Sequence, residues 1–106
     1  MIALGKQLSL AEQFEQTLLE RMKQGQALGV MQKRLEKNIA QYGALATAQR
    51  LLKRGELSEG YEALVALRRT DLTLEAVVAM GKFSELFSDD EVNACFDVLC
   101  ADGFYR

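Results

Sequence analysis

The stretch Ser88-Asp89-Asp90-Glu91-Val92-Asn93-Ala94-Cys95-Phe96-Asp97-Val98-Leu99-Cys100-Ala101-Asp102-Gly103-Phe104 decides the fold class. Ser88 and Glu91 have the spacing of a capping box, in which a hydroxyl and a carboxylate each satisfy a free amide of the first helical turn. Asp89 and Asp90 fall where the positive end of the helix dipole favours carboxylates. Val92, Cys95, Phe96, Leu99 and Cys100 recur at helical spacing and predict the buried stripe. Gly103 marks the stop, and Phe104 stands where a terminal apolar residue folds back onto the helix.

The same grammar repeats toward the N-terminus. Ser9 with Glu12 predicts the start of a helix over Leu10–Gln24, with Leu10, Phe14, Leu18 and Met22 inward and Gly25 as its stop. A second helix is expected over Ala27–Tyr42, burying Leu28, Met31, Leu35, Ile39 and Tyr42. After Gly43 a third places Ala44, Leu45, Ala48, Leu51 and Leu52 inward and ends at Gly55. Ser58 is the expected cap of a fourth, in which Tyr61, Leu64, Val65 and Arg68 share a face. Thr73 caps a short fifth helix that buries Leu74, Val77 and Val78 before Gly81, with Leu72 stapled onto Val77 and Glu75 in the first turn. Lys82–Phe87 reads as a single turn pinned by Phe83, Leu86 and Phe87. No segment alternates apolar and polar residues long enough to form a strand. The expectation is an all-α, compact single-domain bundle of five to six short helices, with 1–42 as an N-terminal helical hairpin and 43–104 as the second segment.

Composition narrows the chemistry. The chain has 106 residues, 49% of them apolar, enough to build a core without a metal or a disulfide. Histidine is absent, which removes the commonest general base and metal ligand. Cys95 and Cys100 are five apart on one helix, so their side chains diverge by about 140° and cannot bond to each other. Both are expected as small buried hydrophobes in a reducing compartment, with the cytoplasm as the default location. No run is long enough for a membrane span, and no secretion signal is legible. The carboxylates Glu12, Asp71, Glu75, Asp89, Asp90 and Glu91 fall at helix starts, where capping and the dipole account for them. Asp90, Asn93 and Asp97 read as a solvated face. Gly25 with Gly29, and Gly81-Lys82-Phe83, lack the residues of a phosphate loop. No catalytic residue, metal ligand or cofactor is predicted, and the chain reads as a non-enzyme.

From Tyr42 onward a longer pattern emerges: Tyr42-Gly43-Ala44-Leu45-Ala46, Arg50-Leu51-Leu52, Gly60-Tyr61 with Leu64 and Leu67, Asp71-Leu72-Thr73-Leu74-Glu75-Ala76-Val77-Val78, Leu86-Phe87-Ser88 with Glu91, and Gly103-Phe104. This resembles a helical segment found, alone or attached to other domains, in many uncharacterised bacterial proteins. The sequence departs from that pattern at Val65, where the family usually has Trp, and at Arg68, where it usually has Gly. The resemblance implies a helical fold and a bacterial or mobile-element origin, and it carries no activity.

Charge is unevenly spread. Residues 1–69 hold eleven Lys and Arg against seven Asp and Glu, whereas 70–106 hold two against eight. Such polarity steers charged partners or brings two copies together. The leading expectation is a module that binds another protein or itself, as an adaptor or small inhibitor. On the last helix, Ala94, Val98 and Ala101 form a small apolar side beyond the core stripe, and Asp89, Asp90 and Asp97 supply carboxylates for a basic groove on a partner. Val30 and Leu19 are further apolar residues left over. The alternative is an accessory DNA- or RNA-binding module using Lys33, Arg34 and Lys37 of the second helix and Arg50, Lys53 and Arg54 of the third, an arrangement similar to a helix-turn-helix. Against it stand Glu36 within the first face and the absence of predicted exposed aromatics for stacking.

Overall fold

The Thr73 hydroxyl accepts a hydrogen bond from the Ala76 amide at 3.1 Å and starts a helix of only five residues, Leu74–Val78, every one of them buried. Around that short central rod the rest of the chain is laid. In the computed structural model, which describes residues 8–104, six α-helices follow in order. They are α1 (Leu10–Ala27), α2 (Lys33–Tyr42), α3 (Ala44–Lys53), α4 (Tyr61–Ala66), α5 (Leu74–Val78) and α6 (Asp89–Ala101). Single 3₁₀ segments at Thr70–Leu72 and Gly81–Leu86 flank α5, and no strand occurs among the described residues. The protein is an all-α single domain. α1 lies along α3, α5 and both 3₁₀ segments; α6 covers α5 and α3; α2 packs chiefly on α3.

The core forms where these faces converge. Phe14 of α1 is fully buried between Phe83 and Phe87, edge-on to both, with ring centroids 5.5 and 5.3 Å away. Each such aromatic pair contributes about 0.5–1.5 kcal/mol beyond the area it buries. Leu18, Leu74, Val77, Val78 and Leu99 belong to the same cluster, with Met22, Leu35, Ile39 and Cys95 among its other members. Both capping boxes form as the sequence predicts. The amides of Glu12 and Glu91 donate to the hydroxyls of Ser9 and Ser88 at 3.1 Å, and the serine amides donate back to the carboxylates at 2.8 Å.

Helix ends account for most of the differences from expectation. α1 does not stop at Gly25 but runs on to Ala27 and closes at Gly29, whose φ of 92° is left-handed. The Val30 amide donates to the Gly25 carbonyl and the Gly29 amide to Gln26, a Schellman closure. Gly25 sits inside the helix where α4 comes close: a Cβ there would lie 3.5 Å from Leu64 Cδ2. The expected start of α2 at Ala27 is thereby removed. Residues 28–32 become a connection, Leu28 and Met31 are exposed, and Val30 turns inward to pack with Leu64 and Leu72. Leu72 joins that small cluster instead of the one holding Val77.

On α6 the buried stripe is narrower than expected. Cys95 and Leu99 are buried and Val92 is half-buried, whereas Phe96 and Cys100 lie on the exposed side. Val98, expected on the free side, instead packs against the core.

Candidate interaction groove

Ser58, the expected cap of α4, does not take that place: Gly60 occupies the cap position and the serine turns inward. Its hydroxyl donates to Glu75 Oε1 at 2.6 Å and its amide to Oε2 at 2.8 Å. Glu75 is only 2% exposed. Burial raises its carboxyl above the ordinary range, and the two bonds from Ser58 pull the other way. The next residue, Glu59, faces α2. Its Oε1 accepts the Leu35 amide at 2.8 Å, supplying the cap that Gln32 does not give, and its carbonyl accepts Gln32 Nε2 at 2.6 Å. The Gly55–Gly60 segment is thus held from below by α5 and from the side by α2.

This holding creates a groove of about 510 Å³ between α2, α3 and the held segment. Leu35, Thr47 and Leu51 contribute its buried side, and Arg34, Asn38 and Tyr42 come from α2. Arg50 and Arg54 enter from α3, and Glu56, Leu57 and Glu59 close the third side. Tyr42, expected inside, is 45% exposed, and the Arg50 guanidinium lies over its ring at 4.2 Å. Leu57 is 44% exposed. Glu56 pairs with Arg54 at 3.4 Å, both well exposed, a contact that contributes little to stability. Among the described residues neither Arg34 nor Arg50 forms an ion pair.

Of the six basic residues expected to share a surface, the fold therefore brings together Arg34, Arg50 and Arg54. Lys33 and Lys37 are exposed but do not line the groove, and Lys53 borders a separate shallow depression with Arg50 and Glu91. On α6, Asp89, Asp90, Ala94, Asp97 and Ala101 are exposed. Val98 is half-buried, and its carbonyl lies 3.4 Å from the Tyr61 hydroxyl. That hydroxyl donates to Asp102 at 2.6 Å, and burial followed by this bond raises its pKa. Near the end of α4, Arg69 forms a two-pronged contact with Asp71 at 3.1 and 3.2 Å and holds that carboxyl below the usual carboxylate range. The Arg21 guanidinium donates to the Asp71 carbonyl.

The sequence points to neither Glu59 nor Leu57 nor the exposure of Tyr42, and Glu75, expected as a helix-start carboxylate, is instead buried and holds Ser58. The nearest thing to a signal is Leu57, an apolar residue between Gly55 and the next helix. Among the described residues no three His, Cys, Asp or Glu side chains converge as a metal site, and no helix is long and apolar enough to cross a membrane. The chain matches no protein-family model, no curated protein and no solved structure.

Proposed function

We propose that this chain is a non-enzymatic interaction module that docks an acidic, partly apolar segment of a protein in the groove between α2 and α3. The observation that carries this reading is Arg50 stacked on the exposed ring of Tyr42, with Arg34 and Leu57 on the same groove. Arg and Tyr are enriched at the energetic centres of protein interfaces, where an apolar contact is surrounded by polar groups that fix register. The groove is also held in shape before a partner arrives. Stacking restrains Arg50, and Ser58 and Glu59 anchor the third wall. Less conformational freedom is then lost on binding.

Nucleic-acid binding is the second reading, favoured by the same convergence of Arg34, Arg50 and Arg54. Lys33 and Lys37 do not line the groove and Arg54 is already paired with Glu56, which leaves Arg34 and Arg50, too few for a run of phosphates but enough for one or two carboxylates. Mixed charge suits a protein segment better.

The test is selection of a displayed random-peptide library on the chain, with counter-selection on Arg50→Glu. The expected outcome is a set of peptides rich in Asp or Glu around an aliphatic residue, each losing at least ~10-fold in affinity to the variant. Failure to recover such peptides, together with steeply salt-dependent binding of a labelled DNA oligonucleotide, overturns the reading in favour of the second.

A further inference from the structure

We propose that the acidic segment received by the groove is α6 of a second copy of this chain, so that the α3–α6 side is the interface of a two-fold dimer. This rests on the groove reading above and adds the identity of the occupant. Charge complementarity is the first argument. The groove carries Arg34 and Arg50 outside any ion pair, with Arg54 paired to Glu56 and Glu59 turned onto the Leu35 amide, while residues 88–104 carry Asp89, Asp90, Glu91, Asp97 and Asp102 and no basic residue. On α6, Asp90, Ala94, Asp97 and Ala101 fall on one helical face, all exposed, with the two carboxylates about 10 Å apart along the axis. The alanines between them let a partner surface approach closely.

Adjacency is the second argument. Arg50 lines the groove and also borders a depression shared with Lys53 and Glu91, the latter in the first turn of α6. The first turn of α6 therefore adjoins the arginine side of α3. Neighbouring patches of opposite sign suit a two-fold axis between them: the basic patch of each copy meets the acidic patch of the other, and the contact closes on itself. Tyr42 and Leu57 supply apolar area beside the charges. Exposed charge pairs are screened by salt, so the dimer is expected to be salt-sensitive.

Charge-reversed pairs test the proposal by sedimentation velocity. The full chain at millimolar concentration and low salt is expected to dimerise and to dissociate at high salt. Arg50→Glu with Arg54→Glu, and separately Asp90→Lys with Asp97→Lys, should each weaken dimerisation at least ~10-fold. Mixed one to one, the two variants should regain the dimer, because both reciprocal contacts are again of opposite sign. Circular dichroism establishes that each variant is folded. A wild-type chain that stays monomeric at low salt, or a mixture that stays monomeric while both variants are folded, overturns the proposal. In that event acidic peptides from the display selection still report on the groove itself, so the two readings fail separately.

Discussion

The Ser58 hydroxyl and the Ser58 amide both donate to the Glu75 carboxylate, at 2.6 and 2.8 Å, across a sequence separation of 17 residues. A buried carboxylate that accepts two hydrogen bonds at once fixes the segment it holds, and here that segment is a wall of the groove. Glu75→Ala leaves the Ser58 amide and hydroxyl buried without partners and opens a cavity, so it should cost about 2–4 kcal/mol in chemical denaturation. Glu75→Gln should stay within about 1 kcal/mol of wild type at neutral pH. Its oxygen can accept the Ser58 amide while its amide group donates to the hydroxyl, which both donates and accepts. Equal losses in the two variants would contradict this geometry.

The same carboxylate sets a pH dependence. Burial raises its pKa in the folded state above the ordinary 4.5. A group raised on folding stabilises fully below its unfolded pKa, and the contribution is lost as pH rises through the folded value. Lowering pH from neutral toward 4.5 should therefore stabilise wild type relative to Glu75→Gln. Asp71 runs the other way: Arg69 lowers its pKa, so its contribution is present above the ordinary 3.8 and is lost as pH falls through the lowered value. Urea titrations of both proteins across this range check the sign. A wild-type advantage that shrinks as pH falls toward 4.5 rules out the assignment.

Arg68 is the one non-glycine with positive φ among the described residues, at 60°. It closes α4 as Gly29, Gly55 and Gly103 close α1, α3 and α6: the Arg69 amide reaches the Leu64 carbonyl and the Arg68 amide reaches Val65. A side chain in this region costs about 1 kcal/mol or more, partly offset by the greater freedom of glycine in the unfolded chain. Arg68→Gly should accordingly stabilise the protein by about 0.5–1 kcal/mol, read as a rise in Tm. A fall in Tm would mean that the arginine side chain makes contacts that outweigh the strain.

The two cysteines should react differently. Cys95 is buried and its thiol is pushed up to about 12, by burial first and then by Glu75 and Glu91, whereas Cys100 is exposed. Because the thiolate is the reactive form, iodoacetamide should add one group to the native chain, at Cys100, and a second only after denaturation. Intact-mass analysis with peptide mapping reads this directly. Rapid native modification of Cys95 would contradict its burial.

The fold class was legible because capping boxes at Ser9 and Ser88 and the cap at Thr73 are local chemistry, decided within four residues. Glycine roles were less so. Gly25 and Gly29 look alike in sequence, and only the approach of Leu64 from a distant helix distinguishes the packed glycine from the left-handed one. That choice moved the start of α2 and exchanged Met31 for Val30 as the buried residue. The groove was half legible: helical spacing put Arg34, Arg50 and Arg54 on polar faces. What unites them depends on Glu59 and Glu75, whose partners lie 24 and 17 residues away in sequence.

The central claim is that the groove between α2 and α3 takes an acidic protein segment. An amide NMR titration of the chain with an acidic peptide recovered by display tests it most directly. The account predicts shifts centred on Arg34, Asn38, Tyr42, Arg50 and Leu57, abolished in Arg50→Glu. Shifts confined to α6, or to Lys33 and Lys37, with the groove unmoved would contradict it.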